Sequence, residues 1–586
     1  MLSAMCGIIG VISKTDKAGL IAYEGLKTLD YRGYDSWGLA VSSKDIKIYK
    51  KTGKITSLPR TMLNGSLAIG HTRWATHGKI SVRNAHPHVS QNGKIVVVHN
   101  GIVENFSELK EFLKKQGFSF ATDTDTEVIP HLIEFYLRKG FPIREAVRRA
   151  LLHIDGNYAI LAIAKGSNSI IGARKGLPLI AGISDDAFLL ASDLNAIVKH
   201  SNKVLFIKDS ELVELSSDIK SFEIATGLET KNRLKPLKLN FQSASKGCFE
   251  HYMLKEIHEA GVAMRNASIQ PKGILEKTAS AIKNAKRVFI IGCGTSYHAA
   301  LLGNYLFNKI AMRYVTPVLA SEFSNYLNVV DKKTAIIALS QSGETADVLD
   351  AVRAAKNKGA KIISLVNVVG SSLTMMSNIT LMMNAGPEIG VASTKNYIAQ
   401  LSLLYLLANT LVENTEGAKK DIEKESCLVE ELIKMNEQKA KSLAKRFRNA
   451  KSLFVIGKNE NAVTALEGAL KIKEVSYIHA EGFPAAELKH GTIALIEKGI
   501  PVIVICADNK DEALSSACEV KARGAEVIGI STQNNHVFDH FFKIPQGKLH
   551  FIFSVIPLQL LAYYLAIMRK NDPDKPRNLA KSVTVK

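Results

Sequence analysis

Arg287–Ile291 (Arg-Val-Phe-Ile-Ile) runs into Gly292-Cys293-Gly294-Thr295-Ser296, and Ala335–Leu339 (Ala-Ile-Ile-Ala-Leu) runs into Ser340-Gln341-Ser342-Gly343-Glu344-Thr345. Each is an apolar run of strand length that ends in a turn rich in Gly and hydroxyl residues and then opens a helix-like segment. Lys361–Val366 is a third such run, and from about residue 280 apolar strands alternate with amphipathic helices, which implies βαβ units and a parallel sheet. Leu453–Ile456, Pro501–Ile505 and Glu526–Ile530 repeat the pattern in similar order, with Lys441–Ala450 as the approaching helix. Two related α/β subdomains are therefore expected, over 276–425 and 426–586. A helix N-terminus preceded by Gly and hydroxyl residues offers free N–H donors and a dipole that suits phosphate. Plain N-capping explains one such loop equally well. Two of them at adjacent strand ends point to a ligand, because open α/β sheets bind at the carboxyl ends of their strands.

Upstream the pattern differs. The first 240 residues alternate short β-like runs with turns, such as Ile95–Val98 followed by His99-Asn100-Gly101, and hold only a few helical stretches. That is α+β patterning, assigned to 6–240. The polar stretch 240–247 breaks it, and 241–275 is read as a linker. Phe551–Met568 is long enough to suggest a membrane span, but it carries Ser554, Pro557, Gln559 and the Tyr563-Tyr564 pair, so a buried helix is expected and no membrane partner.

At 586 residues the chain exceeds one hydrophobic core, and its 46% hydrophobic and 22% charged residues exclude disorder as the default. The net charge of +21 comes from lysines spread along the chain, with no basic tail or aromatic-interleaved stripe. A nucleic-acid partner is not expected; attraction of anionic metabolites is. The six cysteines are far apart and lack metal-ligand spacing, which argues against a disulfide framework or a metal site and fits a reducing cytoplasm. No secretory signal is read at the start.

Met5-Cys6-Gly7-Ile8-Ile9-Gly10 places a cysteine almost at the start of the chain, before an apolar strand. A cysteine at a true N-terminus carries a base in its own α-amine; a small buried hydrophobe is the plainer reading. Tyr31–Ser36, Gly70–Gly78 (Gly-His-Thr-Arg-Trp-Ala-Thr-His-Gly), His99-Asn100-Gly101 and Thr124-Asp125-Thr126-Glu127 shift the balance. Jointly they resemble the glutaminase domain of the N-terminal-nucleophile amidotransferases. The resemblance implies that Cys6 attacks the glutamine carboxamide while Asn100 and the N–H of Gly101 stabilise the oxyanion. It further implies that Arg73 holds the α-carboxylate, Asp125 the α-ammonium, that Trp74 covers the exit for ammonia, and that Thr76 and His77 support them. Met1–Met5 precede Cys6, and an amide nitrogen is no base, so either translation starts at Met5 or a short leader is removed. Trp37, where relatives usually carry a small residue, is a second departure.

The loops after Arg287–Ile291 and Ala335–Leu339 resemble the sugar isomerase (SIS) domain. This implies that Ser340, Gln341, Ser342 and Thr345 grip a phosphate and that Cys293, Gly294, Thr295 and Ser296, with Val391 and Ser393, contact the sugar. Leu466–Glu474 reads as a helix with Lys471 and Glu474 on one face, for which an exposed ion pair is the usual meaning. His490 lies beside a turn. Together with the C-terminal Pro576–Val585, these match the isomerase half of the glucosamine-6-phosphate synthase family. There Glu474 shuttles the proton between C2 and C1, His490 opens the ring from a neighbouring subunit's site, Lys471 assists, and Lys581 forms an imine with the open sugar. The implied whole is an α+β glutaminase domain followed by two α/β SIS subdomains, a homodimer using glutamine and fructose 6-phosphate with no cofactor. Ala260, Ala486 and Thr492 depart from the family pattern. The competing readings are a sugar-phosphate sensor that turns nothing over and an amidotransferase with another acceptor.

Overall fold

The computed structural model describes residues 6–583 apart from 44, 76, 233, 237–245 and 508–512. Met1–Met5, Thr76 and most of the polar stretch 240–247 therefore lie outside the described residues. The chain divides into two compact units, 1–240 with 580–586, and 241–579.

The first unit is built on two antiparallel sheets. One has eight strands, with Gly7–Ser13 between Leu67–Arg73 and Ala187–Ala191; the other has seven, with Ile95–Gly101 beside Tyr158–Ala164. Period-two alternation decides the layering. Ile8, Ile69, Val96, Val98 and Leu161 point inward and form the core between the sheets. Ile9 and Val11 point outward against Leu26 and Leu29 of the helix Ala18–Leu29. Ile95 and Val97 face Leu109, Ile129 and Leu132 of the helices Phe106–Lys115 and Val128–Arg138 on the far side. Helices thus cover both outer faces of a two-sheet sandwich, an α+β arrangement. Trp37 is absorbed into the outer core, where it packs against Tyr23 and Tyr49 and donates through Nε1 to the Lys54 carbonyl at 3.2 Å.

The second unit holds two five-stranded parallel sheets, as the apolar runs predict. In the first, Arg287–Gly292 lies between Thr316–Leu319 and Thr334–Ser340, followed by Lys361–Val366 and Ile379–Met382. In chain order the strands stand 2-1-3-4-5, and the second sheet, built from Ser452–Gly457, His479–Pro484, Pro501–Cys506, Glu526–Ser531 and His540–Lys543, has the same order. Fully apolar strands such as Ile336-Ile337-Ala338-Leu339 are buried on both faces, as sheets covered by helices on each side require.

Two expectations are corrected here. The stretch 241–275 is not a linker throughout: the helices Tyr252–His258 and Ala260–Ser268 send Met253, Ile257, Ala263 and Met264 into the second unit's core. The helix expected over Lys441–Ala450 is the end of a longer one, Val429–Phe447. The apolar run near the C-terminus forms the helix His550–Met568, buried on all sides among the helices Val429–Phe447 and Glu460–Ser476. It is long and apolar enough to cross a membrane by composition, but its surroundings are a protein core.

Candidate functional site

In the first unit Cys6 sits just before the strand Gly7–Ser13, and its Sγ accepts the Trp74 N–H at 3.3 Å. Arg32, buried and ion-paired with Asp193 at 2.7 Å, donates to the Cys6 carbonyl at 3.4 Å and fixes the backbone from behind. Burial pushes the Cys6 thiol up to about 11, although the Trp74 N–H and the Arg73 charge pull it down. At neutral pH it is therefore a thiol, and an attack through sulfur needs a base. Buried His71, His86 and His88 are held well below the usual imidazole range, first by burial and further by nearby positive charge that includes Arg73. Among the described residues no histidine hydrogen-bonds the thiol.

Arg73 and Asp125 lie near enough for their charges to act on Cys6. Arg73 is buried; its Nη2 donates to the carbonyls of His77 and Gly78, while Nη1 is buried with no partner among the described residues. A buried, unpaired guanidinium donor is costly unless a ligand completes it, and a carboxylate is its natural acceptor. Asp125 accepts the Val103 N–H at 2.8 Å. Asn100 is buried at the end of Ile95–Gly101, with Oδ1 unpartnered. Gly101 follows at φ +119°, where a Cβ would stand 2.1 Å from the Asn157 carbonyl, so only glycine fits. Cys6, Arg73, Trp74, Asp125 and their neighbours thus converge, with polar groups left open for a small polar ligand. Trp74 meets Tyr34 edge-on at 5.3 Å, and His77 meets Phe106 at 5.5 Å.

In the second unit the loop Gly292–Gly294 opens the helix Thr295–Ala311, and Ser340–Thr345 opens Ala346–Asn357. The parent strands are hydrogen-bonded neighbours at the point where the strand order reverses, Ile291 opposite Ala338. That crevice is where open α/β sheets take ligands. Ser340 Oγ lies 3.1 Å from Thr345 Oγ1 and caps the Gly343 N–H at 3.0 Å; Ser342 Oγ accepts the Glu344 N–H at 3.2 Å. Gln341 is half-buried beside them. Burial raises the Cys293 thiol to about 11, so it contributes bulk and no thiolate.

The helix Glu460–Ser476 carries Lys471 and Glu474 to the same place. Lys471, fully buried, donates to Thr295 Oγ1 at 2.9 Å and stands 2.6 Å from Glu474 and 3.4 Å from Glu467. Burial alone would lower its pKa, but Glu467 and Glu474 outweigh it and hold the ammonium charged. In place of the exposed ion pair that the spacing suggests stands a cluster in which Lys471 and Glu467 are fully buried and Glu474 is partly exposed. Ser296 accepts from Gln400 at 2.9 Å, Ser393 donates to Glu388 at 3.2 Å, and the Val391 N–H reaches the Asp574 carbonyl at 3.1 Å. His490 is not part of this cluster; it stands exposed at the end of the short turn Ala485–His490. Lys581 falls in the tail grouped with the first unit.

Across its length the chain resembles enzymes from two archaea, each named glutamine–fructose-6-phosphate aminotransferase [isomerizing]. The protein from Thermococcus kodakarensis is 43% identical and that from Pyrococcus horikoshii 44%, both with 99% of this chain and 100% of theirs aligned. The chain belongs to the glutamine–fructose-6-phosphate aminotransferase (isomerizing) family. Consistent with that membership, residues 71–199 match a glutamine amidotransferase domain, and 281–410 and 446–569 match the SIS domain. Among solved structures, the C-terminal domain of glucosamine-fructose-6-phosphate aminotransferase from Francisella tularensis superposes with a TM-score of 0.52 at 33% identity, covering 57% of this chain and 100% of that one. Sequence reasoning missed three residues that buttress these sites: Arg32, Asp193 and Glu467. Arg32 lies within the quoted stretch Tyr31–Ser36 and Glu467 had a signal in its four-residue offset from Lys471 on one helix face, whereas Asp193 had none.

Proposed function

We propose that this chain transfers the amide nitrogen of glutamine to fructose 6-phosphate and isomerises the product to glucosamine 6-phosphate, releasing glutamate. The observation that carries this reading is the Glu467–Lys471–Glu474 cluster, in which Glu467 and Lys471 are fully buried and Lys471 is hydrogen-bonded to Thr295 beside the first phosphate-type loop. A sensor needs only the loops, whereas buried charges of this density serve proton transfer. In the first unit Cys6 is the nucleophile, Arg73 and Asp125 take the α-carboxylate and α-ammonium of glutamine, and Asn100 with the Gly101 N–H takes the oxyanion. In the second, Ser340, Gln341, Ser342 and Thr345 take the phosphate, Thr295 and Ser296 the sugar, and Glu474 moves the proton between C2 and C1. Lys471 steadies the enolamine-like charge, and Lys581 supplies the imine. His490, exposed on its own chain, acts in a homodimer, on the partner's sugar. The cytoplasm is the setting this chemistry suits.

The test is to mix the full chain with glutamine and fructose 6-phosphate and measure glutamate and glucosamine 6-phosphate, which are expected in equal amounts. Cys6→Ala should end glutamate release and leave fructose 6-phosphate binding unchanged, because the nucleophile belongs to the other unit. Glutamate release that persists in Cys6→Ala, or a parent chain that forms no amino sugar, overturns the assignment.

A further inference from the structure

His298 has no role in the scheme above, yet it reaches the centre of the cluster. It lies three residues after Thr295 on the helix Thr295–Ala311, so both side chains leave the same face. Its Nδ1 is 2.7 Å from Glu467 Oε2. The other oxygen of Glu467 accepts the Thr295 hydroxyl at 3.1 Å and faces Lys471 at 3.4 Å. A carboxylate only accepts, so the Nδ1 of His298 carries the proton it shares.

Glu467 has no exposure to water, and a buried carboxylate needs partners on both oxygens. His298 supplies the partner for Oε2. The cation beside it, Lys471, stands between two carboxylates and leans toward Glu474, at 2.6 Å against 3.4 Å. Without the His298 donor, Glu467 is left with one orphaned oxygen and competes harder for Lys471. The ammonium is then drawn off Glu474.

We propose that His298 is a positioning residue of the isomerase site: its Nδ1–H satisfies Glu467 and thereby keeps Lys471 on Glu474. The inference rests on the function proposed above, in which Glu474 moves the proton. Its alternative is that His298 only fills space between the helices Thr295–Ala311 and Glu460–Ser476.

The two are separated with the full chain and two variants. His298→Asn keeps an N–H donor near the Nδ1 position; His298→Leu keeps bulk and loses the donor. A hydrogen bond to a charged group contributes about 1.5–3 kcal/mol, so His298→Leu should lower kcat for glucosamine 6-phosphate by about 10- to 100-fold, with the KM for fructose 6-phosphate within about twofold. His298→Asn should stay within about threefold of the parent. Glutamate release should persist in His298→Leu, so glutamate should exceed amino sugar. If His298→Leu folds poorly, His298→Gln replaces it, because its amide nitrogen falls at the Nε2 position and the same loss is expected. Parent kcat in the donorless variant, equal losses in the Asn and Leu variants, or a rise in KM alone would overturn the inference. A parent chain that makes no amino sugar refutes the proposed function instead, so the two failures are distinguishable.

Discussion

The two halves of the second unit share a backbone, and on the function proposed above they divide the chemistry. Both sheets run 2-1-3-4-5, and in both the first strand leads to a helix of 17 residues, Thr295–Ala311 and Glu460–Ser476. The residues that start these helices adopt nearly one conformation, Gly294 at φ 53°, ψ −126° and Asn459 at φ 54°, ψ −125°. Both helices end on a left-handed residue, Met312 and Tyr477. The side chains then diverge. The first helix opens with Thr295-Ser296, whose hydroxyls add to free N–H donors; the second opens with Glu460, nearly buried and paired with Lys309 at 2.5 Å, which sets a negative charge where a phosphate would dock. The second helix instead carries Lys471 and Glu474 further along. A duplicated scaffold supplies the geometry twice, and on the function proposed above a few side chains decide that one copy binds and the other reacts.

Glu474→Gln tests that division with the largest effect. The change is nearly isosteric, so folding and sugar-phosphate binding should survive, while glucosamine 6-phosphate formation falls by about 10²- to 10⁴-fold, the usual contribution of a positioned base. Parent turnover would break the comparison, because the second half would then hold no chemistry. Thr345→Val is the complementary probe in the first half. Its hydroxyl pairs with Ser340 but caps no backbone group, so the isosteric change should leave the loop intact. Loss of one hydrogen bond to a charged phosphate should raise the KM for fructose 6-phosphate about tenfold, with kcat within about twofold. A fall in kcat at constant KM would put chemistry in the first half as well.

The sheets of this unit were legible because their strands are buried and almost wholly apolar. Lys361–Val366 matches residue for residue, and Pro501–Ile505 and Glu526–Ile530 match to within one residue. The second and fifth strands of each sheet, which form its two edges, are not legible in the sequence: Thr316–Leu319, Ile379–Met382 and His540–Lys543 have four residues each, and His479–Pro484 contains Gly482 and Pro484. The helices in 241–275 read as linker because the polar stretch before them hides their start. In the site, loops that act through local backbone geometry could be read from Gly and Ser spacing. The His298–Glu467 contact could not, because it joins residues 169 apart and exists only once two helices pack. For the same reason the Lys471–Glu474 spacing could not tell a surface pair from a buried one.

The smallest effect concerns the residue that starts each helix. A conformation near φ 54°, ψ −125° is open to glycine, whereas a Cβ there is strained by about 1–3 kcal/mol. Gly294 meets this demand without strain, and a Cβ on it would find no atom within 4 Å, so Gly294→Ala should be destabilising through backbone strain alone. Asn459 carries the strain already, and its side chain makes no capping hydrogen bond that a glycine would forfeit. Asn459→Gly should therefore release the strain, less about 0.5–1 kcal/mol for the greater freedom of glycine in the unfolded chain, a net gain of about 1 kcal/mol. A chain of several domains does not unfold in one step, so the readout is local. Amides of Glu460–Ser476 should exchange about fivefold more slowly in Asn459→Gly, and those of Thr295–Ala311 faster in Gly294→Ala. Faster exchange in Asn459→Gly would mean that the asparagine is held by something other than its backbone, and the near-identity of the two helix starts would then be coincidence of angle without equivalence of energy.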